Sequence, residues 1–142
     1  MSQQFTDFDE FFPWYVGQHS KPATRWFHFA GTHVGAATAV AGLATRRPAL
    51  VAAFPVISYG VAWFSHFVIE KNNPASFGHP LWSLRGDVRM LAMMWQGRDG
   101  DLDAIARAAL ASESPAGAAA DQDAAQRDPA ASSSHVEPVG VS

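Results

Sequence analysis

The chain has no cysteine, which removes disulfides, zinc–thiolate sites and thiol nucleophiles together. It has no basic run either: ten Lys and Arg against thirteen Asp and Glu leave a net charge of −3. Nucleic acid is therefore not an expected partner. No glycine-rich phosphate loop follows a strand pattern, and no serine or threonine sits in a nucleophile-elbow context, so nucleotide chemistry and serine catalysis find no support. Acidic residues are also missing over a long stretch, because none lies between Glu10 and Glu70. Residues 1–12 carry Asp7, Asp9 and Glu10 rather than a basic segment. They do not read as a signal peptide, and any insertion into a membrane is expected to use internal helices.

What the chain does have is apolar length. From Phe27 to Ala44 there is no charged residue, and eighteen residues at about 1.5 Å rise reach about 27 Å, close to the hydrocarbon thickness of a bilayer. Arg46 and Arg47 end this run, and Pro48 is placed to start the next. Ala49 to Ile69 is again uncharged. Pro55 should kink it, which membrane helices tolerate. With only a few residues between them, the two runs must pack antiparallel. Gly31 and Gly35 make a G-x-x-x-G spacing that would let the second backbone approach closely. The expected fold class is thus all-α: an integral membrane helical hairpin of two transmembrane helices, with flanking interfacial helices and a disordered C-terminal tail.

One flanking piece is Phe5 to Tyr15, whose aromatics recur every three to four residues. It reads as a short helix in the membrane interface, interrupted by Pro13, with Trp14 and Tyr15 at headgroup depth. The other is Pro80 to Trp95. Leu84, Val88, Leu91 and Trp95 form its apolar side, while Arg85, Asp87 and Arg89 break the run, so it reads as an interfacial helix or a cap over the hairpin. The expected division is a membrane-embedded part, residues 1–98, and a disordered tail, residues 99–142. That tail is rich in Ala, Asp, Ser, Gly and Pro and has too little apolar surface to offset chain entropy, although 101–112 has the makings of a brief helix. By the positive-inside rule both termini are expected in the cytoplasm, on a multi-pass membrane protein.

Six histidines are many for this length, and five lie before residue 80. With the turn centred on Arg47, His28 is nineteen residues before it and His66 nineteen after. In an antiparallel pair they lie at matching depth, and Glu70 is one helical turn beyond His66. His19 and His79 flank the same ends. Two imidazoles and a carboxylate with open positions suit non-haem Fe(II), and they also suit zinc. A haem held by two axial histidines is a competitor. So is a non-catalytic arrangement in which His28 and His66 merely hydrogen-bond each other, headgroups or backbone. His33 is expected to face the bundle or lipid, and His135 in the tail to play no part.

The segments Phe11-Phe12-Pro13-Trp14-Tyr15, His19 and Arg25-Trp26-Phe27-His28-Phe29-Ala30-Gly31-Thr32 resemble one half of a known pattern. The other half is resembled by His66-Phe67-Val68-Ile69-Glu70-Lys71-Asn72-Asn73-Pro74-Ala75-Ser76-Phe77, continued by Pro80-Leu81-Trp82-Ser83-Leu84-Arg85-Gly86-Asp87. The pattern is that of a membrane-protein family, formerly a domain of unknown function, named after a fungal endoplasmic-reticulum dioxygenase for 2-hydroxy fatty acids. The resemblance spans about residues 5–96. It implies an Fe(II)-dependent dioxygenase that shortens a 2-hydroxy long-chain fatty acid by one carbon with O2. It also implies that His19, His28 and His66 are the functional histidines, read here as the metal ligands. Glu70, with Pro74 in the adjoining motif, is read as the catalytic carboxylate, whether as ligand or as the acceptor that orients one. Expected partners are a membrane lipid or fatty-acid substrate and O2, with a homo-oligomer left open. The alternative is a non-catalytic membrane scaffold or lipid-binding protein with structural histidines.

Overall fold

A computed structural model describes residues 4–114. These are helical throughout, without a strand. The first helix, α1, is Phe8–Gly17, and α2 is Pro22–Ala44. Next, α3 is Pro48–Ser65 and runs directly into a π-helical turn, His66–Glu70. A short 3-10 turn at Ala75–Phe77 leads to α4, Pro80–Trp95, and α5 is Asp99–Glu113. Residues 1–110 form one unit, and of the remaining segment, 111–142, only 111–114 are described. The disorder expected of the tail lies, beyond 114, outside the described residues.

Local chemistry sets the ends of these helices. Asp7 caps α1 by accepting from the Glu10 amide at 2.8 Å, and the Glu10 carboxylate accepts from the Thr6 amide at 2.9 Å. Each satisfies an amide that has no partner inside the helix. Proline opens α2, α3 and α4 at Pro22, Pro48 and Pro80, where its missing N–H costs nothing. Pro13 does not interrupt α1, which continues through it to Gly17. The turn between α2 and α3 is a Schellman cap. Arg46 takes a left-handed conformation, its N–H donates to the Leu43 carbonyl, and the Arg47 N–H donates to the Gly42 carbonyl.

The hairpin of α2 and α3 is close-packed along one stripe. A Cβ added at Gly31 would lie 2.8 Å from Val61 Cβ, and one at Gly35 would lie 2.5 Å from Ser58 Oγ and 3.0 Å from the Phe54 carbonyl. Near the turn, Gly42 is as tightly opposed by Leu50 and Val51. The G-x-x-x-G spacing therefore serves the backbone approach expected of it. Among the described residues one helical segment, Pro48–Glu70, is long and apolar enough to cross a membrane, and only 17% of its most apolar window is buried. Of comparable length, α2 is diluted by glycine, alanine, threonine and two histidines and does not reach the same apolarity.

The hydrophobic core lies beside the hairpin rather than within it. Phe8, Phe11, Phe12, Tyr15 and Val16 of α1 pack with Met90, Leu91, Met93 and Met94 of α4 and with Leu102 and Ala106 of α5. Tyr15, expected at headgroup depth, packs within this core and is 1% exposed. The apolar side of α4 is not the face that packs against the core. Ser83, Gly86, Met90, Met93 and Met94 point inward with Leu91, while Leu84, Val88 and Trp95 point outward. The reason is steric. At Gly86 the helix meets the Tyr15 ring so closely that a Cβ would be 3.0 Å from it, so α4 can seat only its small and methionine face there. The segment from residue 99, expected to belong to the tail, is helical to Glu113 and buries Leu102 and Ala106. It is held by Arg25, a fully buried cation that donates to the Asp99 carboxylate at 3.0 Å and to Asp103.

Candidate metal centre

The N-terminal end of α2, the end of α3 and the loop after α1 meet at one point, and each brings a histidine. His28 comes from α2, His66 opens the π-helical turn, and His19 follows α1. All three are buried, and one ring nitrogen from each lies within 4.8 Å of the others. The equal count of residues from the turn places His28 Nε2 and His66 Nε2 3.2 Å apart. The His19 ring sits 4.6 Å from each of theirs, centroid to centroid.

Hydrogen bonding fixes which nitrogen of each ring carries its proton. His28 Nδ1 lies 2.8 Å from Asp87 Oδ1, and an ionised carboxylate only accepts. His66 Nδ1 lies 2.8 Å from Asn72 Oδ1, whose Nδ2 is turned to donate to the Gln18 carbonyl at 2.9 Å. His19 Nδ1 lies 2.7 Å from the Tyr15 carbonyl. Each Nδ1 is therefore an N–H donor, and in the neutral rings each Nε2 carries a lone pair. With both rings neutral, the Nε2 atoms of His28 and His66 face each other as two lone pairs 3.2 Å apart, and His19 Nε2 is buried with no protein partner. A cation held among the three nitrogens would satisfy them together. A proton does not serve at His19: burial first, and then the neighbouring His28 and His66, hold its pKa well below the ordinary value.

The spacing of His28 Nε2 and His66 Nε2 also fits one ion. Two nitrogens each about 2.1 Å from a common metal, at an angle between roughly 90° and 109°, lie about 3.0–3.4 Å apart. Axial ligands of a haem would be about 4 Å apart with the porphyrin between them. The 3.2 Å between His28 Nε2 and His66 Nε2 is closer than that and favours a single ion over a haem.

Behind the rings, Tyr15 Oη donates to Asp87 Oδ1 at 2.5 Å. Burial, then the Asp87 charge, push the Tyr15 phenol well above its usual pKa, so it stays a donor. Asp87 thus accepts from both Tyr15 and His28. Arg25 donates to the carbonyls of His19 and Ser20 at 3.0 and 3.2 Å, fixing the loop that carries His19.

Glu70 occupies a different position from the three histidines. Its carboxylate accepts from the Ser20 amide at 2.7 Å, the Ser20 hydroxyl at 2.6 Å and the Thr24 hydroxyl at 2.6 Å. Those bonds tie the π-helical turn to the start of α2. His33 is turned away, its Nδ1 on the Phe29 carbonyl and its Nε2 accepting from Trp95 Nε1 at 2.9 Å. His79 stands among Phe5, Phe11, Trp14 and Trp82. His135 lies outside the described residues. The sequence reading missed Tyr15, Asn72 and Asp87 as partners of the rings. Asp87 had left one signal, as the acid that breaks the apolar side of α4.

The family model described as 2-hydroxy-palmitic acid dioxygenase Mpo1-like matches residues 5–99. The chain belongs to the Mpo1-like family. No curated protein and no solved structure matches it. The matched span of the Mpo1-like family takes in His19, His28 and His66 with Tyr15, Asn72 and Asp87, and ends at Asp99, the first residue of α5. The family name suggests a 2-hydroxy fatty acid dioxygenase, and the three buried histidines are a donor set that could hold a metal ion.

Proposed function

We propose that the protein is a membrane-embedded Fe(II)-dependent dioxygenase that shortens 2-hydroxy long-chain fatty acids by one carbon with O2. The observation that carries this reading is the convergence of three Nε2 lone pairs, each ring oriented from behind by a fixed acceptor. His19, His28 and His66 are the ligands. Iron held there supplies a Lewis-acidic centre with open positions at which O2 and an α-hydroxy acid can meet. The chain's own residues supply the rest. Asp87, Asn72 and the Tyr15 carbonyl hold each imidazole in the tautomer that presents Nε2. Glu70 acts through structure, anchoring the loop that carries His19 to the turn that carries His66.

A fatty-acid substrate is supported by the space beside the centre. A cavity of about 190 Å³ between α2, α3 and α4 is walled by Phe54, Pro55, Leu84, Val88 and Leu91 and ends at His28 and Asp87. It offers an apolar chain a path to the histidines. A bilayer is supported by the outward faces of the hairpin. Val34, Val40, Leu43, Val56, Phe64 and Phe67 are all exposed. Each would forfeit part of the roughly 1.5–3 kcal/mol that full burial of such a side chain is worth if it stood in water. Both α2 and α3 then cross the membrane, with the termini cytoplasmic.

The test is turnover. Purified protein reconstituted with Fe(II) and given 2-hydroxypalmitic acid and O2 should yield the acid one carbon shorter. A chelator, anaerobiosis, or His28→Ala should abolish the product. Iron-loaded protein that leaves the acid untouched would sink the dioxygenase reading.

A further inference from the structure

Among the described residues, two buried side-chain polar atoms have no protein partner, and both line the same small cavity. One is His19 Nε2, accounted for above. The other is Ser83 Oγ. We infer that Ser83 is a substrate-binding residue whose hydroxyl donates to the carboxylate of the acid held at the histidines. The inference rests on the dioxygenase reading of the site.

The position of Ser83 in its helix makes the missing partner informative. It sits in the first turn of α4, with its amide bonded to the His79 carbonyl at 2.8 Å. A helical serine or threonine ordinarily returns its hydroxyl to a carbonyl three or four residues back. Elsewhere in this chain that happens: Ser65 Oγ bonds Ala62, Thr38 Oγ1 bonds Val34 and Thr45 Oγ1 bonds Ala41. Ser83 is buried like Ser65, at 3% exposure, yet its hydroxyl makes no such bond and borders the cavity instead. Leaving a buried hydroxyl unpaired is costly, and a ligand oxygen relieves it.

Charge accounting points to the carboxylate as that oxygen. The described residues lining this cavity include no Lys or Arg, and their one ionised group is Asp87, itself an anion. A fatty acid must bring its carboxylate into this space to reach the histidines, and besides the iron it would find no cationic side chain there. Neutral hydroxyl donors are what remains, and a bond from O–H to a carboxylate is among the stronger hydrogen bonds a protein makes. Ser83 is the donor already stripped of water and of any competing bond.

Equilibrium binding to the iron-loaded full-length protein, without O2, separates the possibilities. The probes are 2-hydroxypalmitic acid, palmitic acid and hexadecane-1,2-diol, which keeps the hydroxyl and lacks the carboxylate. Ser83→Ala and Ser83→Gly should bind both acids about 10- to 100-fold more weakly. Diol binding and iron content should be unchanged, and in turnover the loss should fall on KM with kcat within about threefold. Equal weakening of the acids and the diol, or a loss confined to ligands bearing the 2-hydroxyl, overturns the assignment to the carboxylate. Variants that bind the acids as the wild type does overturn it while leaving the dioxygenase reading standing. A wild type that binds neither acid removes both.

Discussion

At the scale of single residues, the account makes the rear partners of the histidines as necessary as the ligands. Asp87→Ala strips His28 of its acceptor and Tyr15 of its own. It should lower metal affinity about 10–100-fold, measured by competition with a chelator. Glu70→Gln replaces an oxygen that accepts from Ser20 or Thr24 with a donor. It should cost about 1–3 kcal/mol of stability in denaturation and lower metal affinity less than Asp87→Ala does. The metal-free protein should also be acid-sensitive. The folded state holds His19 below its ordinary pKa, so below about pH 6.5 the unfolded chain takes up a proton that the folded chain refuses. Its melting temperature should fall as pH drops through that range, and His19→Gln should flatten the dependence. The meeting of two of the three histidines was legible because counting residues from a tight turn fixes depth on both arms of a hairpin, which aligned His28 with His66. No count could reach Asp87, Asn72 or Tyr15, whose meeting with the rings depends on how α1 and α4 dock. Glu70 bonds away from the rings for a local reason. From His66 on the chain adopts a π-helical turn, and the carboxylate engages Ser20 and Thr24 instead of a histidine ring.

At the scale of elements, the glycine stripe and the π-helical turn carry the geometry. Gly35→Leu forces a side chain into Ser58 and Phe54. The hairpin should spread, and metal occupancy should fall while the protein still reaches the membrane fraction. Gly42→Leu is equally crowded but sits at the turn, far from His28 along α2. It should destabilise the protein with a smaller effect on occupancy. The spacing of Gly31 and Gly35 was readable because small residues one turn apart have few other uses on an apolar helix. The orientation of α4 was not, since its leucine and valine stripe is the more apolar side. Only the tertiary contact of Gly86 with Tyr15 selects the other face. Nor did composition alone reveal that α5 is anchored. Asp99 and Asp103 read as solvated charge until Arg25 is found buried between them and the backbone of His19 and Ser20. Truncation after Gly100 removes Asp103, Leu102 and Ala106 and should therefore reduce the yield of folded protein extracted from membranes.

At the scale of the whole molecule, the core and the exposed apolar surface of the hairpin are separate. Phenylalanines and methionines of α1 and α4 build a conventional core beside the histidines, and the hairpin keeps its apolar side chains outward. That division suits a protein anchored in a bilayer by two helices with its metal centre near one face, where the basic residues Lys21, Arg25, Lys71, Arg85 and Arg89 gather in the sequence. A reporter fused after Glu113 should then be active only in its cytoplasmic form. All of this depends on an ion among the three histidines, and metal analysis of the purified protein tests that most directly. The account predicts close to one iron per chain in the wild type, and a loss of nearly all of it in His19→Ala, His28→Ala and His66→Ala, with His33→Ala retaining it. Wild-type protein that is folded, refuses added Fe(II) and holds no other metal would contradict it.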